Sequence, residues 1–205
     1  MNGSNQNLEL EILNAAERLF LRKGFSLTST TEIAKEAGCN QALVHYYYRT
    51  KEKLFTRIYE KNALLFLKDL LDGNRQSLTF EEKIREIIEG HFNMLIKNPQ
   101  LPLFLFNELI MNEKRLEILR ENLDENHPEV YRKFENELNR EIEKGNIRQT
   151  TLLDLILTTF SLNVMLFIIS PILKKAFIND ETRYREFVDH RREENVRIIL
   201  LSLKP

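Results

Sequence analysis

Signals that begin and end α-helices recur along almost the whole chain. Ser29 and Thr79 each stand three residues before a glutamate, the capping-box spacing in which a hydroxyl and a carboxylate satisfy each other's exposed backbone amides. Asn40, Thr50 and Thr151 are further residues of the kind that caps a helix N-terminus. A chain marked in this way is predicted to be all-α.

The scarcity of turn residues argues against folds with many strands. Glycine (6) and proline (5) make up 11 of 205 residues, roughly half of the average share. The formal net charge is −1, so any contact with nucleic acid must depend on a local patch and not on overall basicity. The single Cys39 cannot form an internal disulfide, and the first residues lack the pattern of a secretory signal, so a cytoplasmic protein is expected.

The spacing of apolar residues predicts two helical domains. Residues 1–50 hold three short helices, a linking helix covers residues 51–72, and residues 73–205 hold the larger domain. Pro171 is expected to kink or end the helix that follows Thr151. The predicted helices cover about 8–23, 30–37, 41–48, 51–71, 80–97, 101–111, 113–123, 128–144, 151–170 and 180–203.

The segment 30–48 has the pattern of a helix-turn-helix. Gly38 begins a three-residue turn and can adopt positive φ without a Cβ clash. Ala34 is small where the second helix must cross the first, and Ile33 and Val44 face inward. A helix-turn-helix presents its second helix to the major groove of DNA.

The outward residues of that second helix suit DNA. Gln41 can pair bidentately with adenine, Leu43 can touch a thymine methyl, and the residues His45, Tyr46 and Tyr47 can contact phosphates and sugars. Between positions 40 and 61, five Lys and Arg residues stand against two glutamates, a local charge of +3 in a nearly neutral chain. The positive charge that the whole chain lacks is therefore concentrated here.

Four motifs together resemble the N-terminal domain of the tetracycline-repressor (TetR) family of bacterial regulators. They are Gly24-Phe25, residues 28–34, Ala37-Gly38 and residues 45–54. The resemblance implies an all-helical homodimer whose N-terminal domains bind a palindromic operator in double-stranded DNA and whose C-terminal domains bind an effector. Ala42-Leu43 stands where the family often has Gly-Thr, so the resemblance does not give the operator sequence. Carried over by position, the DNA-contacting residues are Thr30, Thr31, Gln41, Ala42, Leu43, His45, Tyr46, Tyr47 and Lys51.

The C-terminal part is rich in phenylalanine and methionine, which suit an irregular apolar pocket. The resemblance places a site for a small apolar or aromatic effector there, although core packing would explain each residue individually. The predicted effector contacts are His91, Phe92, Phe104, Asn107, Tyr131, Phe134, Phe160, Asn163 and Phe167. The family's dimer interface, two helices from each protomer, corresponds to Leu162, Leu166, Ile169, Val196, Ile199 and Leu200.

The sequence offers no candidate constellation for catalysis, a metal or a cofactor, so an enzyme is not expected. The long apolar stretch 151–173 contains Asp154 and Asn163, which favour a buried helix over a membrane span. The expected function is an effector-responsive transcriptional regulator, most simply a repressor. The alternatives are an architectural DNA-binding protein on the same fold and a helical carrier of small molecules or lipids.

Overall fold

The computed structural model describes residues 2–71, 77–113, 117 and 128–205, and in this part of the chain every regular element is an α-helix. The all-α prediction is thereby confirmed. Most of the predicted helix 113–123, and the predicted domain boundary between residues 72 and 73, lie outside the described residues. In chain order the helices are α1 (Asn2–Lys23), α2 (Thr30–Glu36), α3 (Gln41–Tyr48), α4 (Lys51–Leu71), α5 (Phe80–Lys97), α6 (Leu101–Met111), α7 (Pro128–Glu143), α8 (Leu152–Ala176) and α9 (Glu181–Ser202).

Both predicted capping boxes are present. The Glu32 amide donates to Ser29 Oγ (3.2 Å), and the Ser29 amide donates to the Glu32 carboxylate (2.9 Å). Thr79 and Glu82 form the same pair of bonds at 3.3 and 2.8 Å. These reciprocal bonds fix where α2 and α5 begin.

Two helix ends differ from the prediction. Helix α1 begins at Asn2 and not near Leu8, and α8 continues through Pro171 to Ala176. Pro171 lacks an amide and removes one bond of the ladder, at a cost of about 3 kcal/mol. Beyond Pro171 the helix is held at its end, where Lys174 Nζ donates to the Glu181 carboxylate of α9 (3.1 Å) and the Phe177 amide donates to the Leu173 carbonyl (3.0 Å).

The chain divides into two compact units. The first unit comprises Met1–Leu64 and Leu103–Ile118, and the second comprises Leu65–Pro102 and Leu119–Pro205. Helix α4 therefore begins in the first unit and ends in the second. The segment Leu103–Ile118 belongs to the first unit, whereas the sequence pattern assigns it to the C-terminal domain.

The core of the first unit is aromatic and aliphatic. Phe55 of α4 meets Phe20 of α1 at 5.0 Å between ring centres and Phe25 at 4.9 Å. The Tyr48 hydroxyl donates to the Glu9 carbonyl (3.1 Å) and so ties the end of α3 to α1. The fully enclosed residues of this core include Ile12, Ala15, Ala16, Phe20, Ile33, Leu54, Phe55 and Ile58.

The core of the second unit lies among α5, α7, α8 and α9. Its buried apolar residues are Phe80, Ile84, Ile88, Leu138, Leu155, Val196, Ile199 and Leu203. Two asparagines, Asn163 and Asn195, are also completely buried in this unit. A buried amide is stable only when its donors and acceptors find partners.

Candidate nucleic-acid interface and ligand pocket

The turn between α2 and α3 is closed by glycine. Gly38 has φ +66°, the left-handed conformation that costs glycine no Cβ clash. Its amide donates to Lys35 O (3.2 Å), and the Cys39 amide donates to Ala34 O (2.9 Å), the two bonds of a Schellman motif. Asn40 then caps α3, so the second helix starts directly after the turn.

The turn holds α3 with one face buried and the other exposed. Val44 and Tyr48 are buried in the first unit, whereas Tyr46 is 74% exposed. An exposed face on the second helix is what can reach base edges in a major groove. Of the nine predicted DNA-contacting residues, Thr31, Gln41, Ala42, His45 and Tyr46 are exposed, and Thr30, Leu43, Tyr47 and Lys51 are half-buried.

Lys51 is held by the protein itself. Its Nζ donates to the carbonyl oxygens of Phe25 (3.1 Å) and Thr28 (2.9 Å) and lies 4.1 Å from the centre of the Phe25 ring. Two of its three N–H groups are therefore engaged within the chain. The structure gives Lys51 a role in fixing the loop between α1 and α2, which the sequence resemblance does not indicate.

A chain of side-chain contacts crosses the exposed face of α3. Gln41 Nε2 donates to Thr30 Oγ1 (2.8 Å) and lies 3.4 Å from His45 Nε2. His45 Nδ1 lies 3.2 Å from the Arg49 carbonyl oxygen. Because a carbonyl can only accept, Nδ1 carries a proton, and in the tautomer with its proton on Nδ1 the Nε2 atom is the acceptor that faces Gln41.

The junction between α3 and α4 has an unusual backbone. Arg49 has φ 59° and ψ −52°. In the described part of the chain, every other residue with positive φ is a glycine. The Thr50 amide donates to the Tyr48 carbonyl (2.6 Å), which closes a γ-turn around Arg49. This conformation costs a residue with a Cβ roughly 1–3 kcal/mol. The helices on either side must therefore impose it.

Ion pairs balance part of the positive charge of this unit. Lys61 contacts Glu17 (2.7 Å), and Lys23 contacts Glu32 (2.6 Å). The Lys23 hydrogen bond, helped by the Ser29 amide, lowers the pKa of Glu32 to about 2, so this capping carboxylate stays ionised. The exposed cations near α3 are Arg49, Lys53 and Arg57.

The second unit contains an apolar pocket between α5, α7 and α8. Its free space is about 30 Å³, room for only a few water molecules, so a ligand would have to displace the side chains that line it. The Thr159 hydroxyl is engaged with Leu155 O (2.9 Å), and burial raises the pKa of Tyr131. An apolar ligand suits this site. The lining residues are Ile84, Ile87, Ile88, Tyr131, Phe134, Leu152, Leu155, Ile156 and Thr159.

Only two of the nine predicted effector contacts, Tyr131 and Phe134, line this pocket. Its aliphatic walls escaped prediction because isoleucine and leucine at helical spacing look like ordinary core. Phe104 and the exposed Asn107 belong to the first unit. There Phe104 packs against Phe55 (5.5 Å between ring centres), so it is a core residue and not a wall of this pocket.

The remaining predicted contacts pack with one another. Phe92 and Phe167 are buried and meet edge to face at 5.4 Å between ring centres. The Phe160 ring meets the His91 ring edge-on at 4.9 Å. Burial lowers the pKa of His91 to about 4, so its ring is neutral near pH 7.

A buried polar cluster joins α5, α8 and α9. Asn163 Nδ2 donates to Ile88 O (3.0 Å) and lies 3.2 Å from His91 Nδ1. Asn195 Nδ2 donates to Asn163 Oδ1 (3.0 Å), and Arg191 donates to Asn195 Oδ1 (2.7 Å). His91 and Asn163, two of the predicted effector contacts, meet each other in this cluster. Nowhere in the described ranges do three or more His, Cys, Asp or Glu side chains form a group that could hold a metal.

Three of the six residues predicted for a dimer interface are core residues. Leu166, Val196 and Ile199 expose only 7%, 1% and 0% of their surface. The prediction is wrong for these three because each is enclosed by its own chain and cannot reach a partner. Leu162, Ile169 and Leu200 are half-buried.

Helix α8 nevertheless exposes an apolar stripe, defined by Leu153, Leu157, Met165 and Ile172. These residues recur at helical spacing on one face, and each exposes more than half of its surface. By length and composition alone, α8 is long and apolar enough to cross a membrane, and about a third of its most apolar stretch is buried within the chain. An exposed apolar face of this size also marks contact surfaces between proteins.

Comparisons with known proteins agree with this geometry. The sequence profile of the tetR family of bacterial regulatory proteins matches residues 12–58, which contain the helix-turn-helix. A fatty acid metabolism regulator protein of Bacillus subtilis is 22% identical over 140 residues, covering 68% of this chain and 71% of that protein. The transcriptional regulator QacR of Staphylococcus aureus is 38% identical over 52 residues, 25% of this chain and 28% of its own length.

Solved structures extend the likeness to the whole fold. A putative fatty acid metabolism regulator of Clostridium perfringens has a TM-score of 0.70 at 21% identity, covering 95% of this chain and 99% of its own. A TetR family transcription regulator of Marinobacter aquaeolei has a TM-score of 0.65 at 19% identity, covering 96% and 97%. At these identities the likeness is one of fold, and it extends over nearly the whole chain. With its helix-turn-helix, its all-α fold and these relatives, the chain carries at residues 12–58 the DNA-binding domain of the tetR family of bacterial regulatory proteins.

Proposed function

We propose that the chain is an effector-responsive repressor that acts in the cytoplasm as a homodimer on a palindromic operator. The observation that carries the proposal is the exposed face of α3, which is presented by a glycine-closed turn and anchored by buried Val44 and Tyr48. A helix so presented can enter a major groove without any change of fold.

The proposed DNA-contacting surface consists of nine residues, Thr30, Thr31, Gln41, Ala42, Leu43, His45, Tyr46, Tyr47 and Lys51. Gln41 and Ala42 stand at the exposed start of α3, where recognition helices contact bases. Thr30 lies beside the start of α3, against Gln41, and the Thr30 and Thr31 hydroxyls there can donate to phosphate oxygens.

The proposed effector is a small apolar molecule in the pocket between α5, α7 and α8. Two relatives are named as regulators of fatty acid metabolism, one by sequence and one by structure, and the pocket walls are aliphatic and aromatic. A fatty acyl chain is therefore the first ligand to test. Helix α4, which begins in the DNA-reading unit and ends in the second unit, is the proposed path of coupling.

The apolar stripe of α8 is the proposed centre of the homodimer. Contact of this stripe with the same stripe of a second copy would remove from water the exposed apolar surface of Leu153, Leu157, Met165 and Ile172. In this proposal the exposed stripe of α8 takes the place of Leu166, Val196 and Ile199, the predicted interface residues that are buried in the chain's own core.

Mapping the protected sites in genomic DNA tests the proposal. One or a few protected palindromes would support a repressor, whereas many dispersed sites would indicate an architectural protein. Absence of DNA binding would indicate a carrier.

Operator affinity is then measured with and without fatty acids of graded chain length. The variant Ile156→Trp, which fills the pocket, should abolish any effect of the acid, and Leu103→Trp at an exposed position is its control.

A further inference from the structure

The hydrogen bonds of Gln41 determine which of its amide atoms is available to a base. Gln41 Nε2 carries two N–H groups; one donates to Thr30 Oγ1 at 2.8 Å, and the other faces His45 Nε2 at 3.4 Å. Both donors are therefore directed toward the protein. Gln41 Oε1, an acceptor with no hydrogen, is the atom left for the groove.

His45 can hold Gln41 in this way only as one tautomer. The Arg49 carbonyl, 3.2 Å from His45 Nδ1, keeps the ring proton on Nδ1, which leaves Nε2 as an acceptor. That carbonyl belongs to the residue of the γ-turn between α3 and α4. The orientation of the Gln41 amide is thus fixed by a chain of contacts that starts at the backbone of the junction.

The Gln41 oxygen alone recognises bases in the major groove differently from a glutamine amide that offers both its oxygen and an N–H group. Adenine and cytosine on one strand each present an amino donor, whereas guanine and thymine present a carbonyl acceptor. A free glutamine amide pairs bidentately with adenine because its N–H group also donates to adenine N7. With that N–H engaged, the preference for adenine over cytosine is lost.

We propose that His45 is a specificity-determining positioning residue, which holds Gln41 so that it accepts a hydrogen bond from adenine or cytosine and rejects guanine and thymine. The inference rests on the proposed function, since it needs α3 to read bases. It departs from the sequence prediction of a bidentate pair with adenine, and it gives His45 a role other than contact with phosphate.

The test is selection of bound sequences from a fully randomised duplex pool, with the full-length protein. The wild-type protein should accept adenine and cytosine about equally at one position of each half-site and reject guanine and thymine roughly tenfold. In the variant His45→Phe the freed N–H can reach adenine N7, so the preference should narrow to adenine. His45→Gln, which restores an acceptor side chain, should recover the shared preference.

Two controls separate this inference from the proposed function. Gln41→Ala should remove the preference at that position and leave the others unchanged, and Gln41→Glu, an acceptor only, should keep the choice of adenine or cytosine while weakening binding to all DNA. Gln41 and His45 are exposed, so these variants should melt like the wild-type protein.

The possible outcomes are distinct. A wild-type preference for adenine alone, or a shared preference that His45→Phe leaves unchanged, overturns the role of His45 while DNA reading by α3 stands. A base preference that Gln41→Ala does not alter overturns base contact by Gln41. Selection of no sequence at all overturns the proposed function and the inference with it.

Discussion

Single residues in the second unit show how much an internal polar group depends on its neighbours. Asn163 exposes none of its surface and bonds to Ile88 and Asn195 while contacting His91. Replacing it with leucine would keep the volume, but inside the core one N–H of Asn195 and one ring nitrogen of His91 would lose this partner. Each such buried group costs about 1–3 kcal/mol.

We therefore expect Asn163→Leu to lower the free energy of unfolding by about 3 kcal/mol or more. The matched control is Ser161→Ala, an exposed position two residues earlier on the same helix, where a change within about 0.5 kcal/mol is expected. Urea unfolding followed by circular dichroism measures both. Equal stability of the two variants would mean that the polar cluster contributes little.

His91 makes the stability of the second unit depend on pH. Burial lowers its pKa from 6.5 to about 4, so the unfolded chain binds a proton at a higher pH than the folded one. Stability is then complete above pH 6.5, falls as the pH drops toward 4, and has lost about 3 kcal/mol from this group at the lower value.

The variant His91→Phe isolates this contribution. It should be less stable than the wild-type protein near pH 7, because Asn163 loses a partner, but its stability should fall less steeply between pH 6.5 and 4. Thermal melting across this range gives both curves. Parallel curves would show that His91 is not the group responsible.

Among the elements, the junction of α3 and α4 holds a locally unfavourable backbone. Arg49 has φ 59°, a conformation that glycine adopts more easily than any residue with a Cβ. We expect Arg49→Gly to be more stable than Arg49→Ala by about 1 kcal/mol, as measured by urea unfolding. Both variants lose the same charge, so the difference isolates the backbone. If alanine is equally stable at this position, the γ-turn carries no strain.

The positions of the helices follow closely from the local sequence. The contacts that each helix makes with other helices do not. The bounds of α2, α3 and α5 depend on caps within three or four residues, which the sequence displays directly. The continuation of α8 beyond Pro171 is accompanied by contacts of Lys174 with Glu181 and Tyr184 of α9, which local rules do not contain. The assignment of Leu103–Ile118 to the first unit likewise depends on distant contacts.

The candidate site was predictable to the extent that its pattern is local. The exposed start of α3 follows from the spacing of Gly38, Asn40 and Val44. The contacts of Lys51 with Phe25 and Thr28 join residues more than 20 positions apart, and no local pattern shows them. The pocket walls are ordinary aliphatic core residues, which only the fold distinguishes.

At the scale of the whole molecule, the exposed stripe of α8 tests the proposed homodimer. Leu157 exposes 55% of its surface and Leu166 only 7%. Leu157→Glu should therefore give a folded monomer, because the carboxylate stays in water until a partner would bury it. Leu166→Glu should unfold the second unit, since it places an unpaired charge in the core.

Light scattering and circular dichroism together distinguish these results. The matched control is Ile110→Glu, which alters an equally apolar residue that is 77% exposed on α6 and should leave the oligomeric state unchanged. A folded Leu157→Glu dimer with normal DNA affinity would place the interface on another surface. A monomeric wild-type protein would exclude the homodimer altogether.

A homodimer on a palindrome must also match the period of DNA. Its two recognition helices have to enter major grooves on one side of the duplex, about 34 Å or a multiple of it apart. Inserting about 5 base pairs, half a helical turn, between the half-sites should move one of them to the opposite side and abolish tight binding of the wild-type protein. The monomeric variant Leu157→Glu reads one half-site at a time, so the insertion should leave its weaker affinity unchanged. Titration of both proteins on both duplexes at one salt concentration gives the comparison. If the wild-type protein binds the two duplexes equally well, its recognition helices act independently, and the apolar stripe of α8 does not set their spacing.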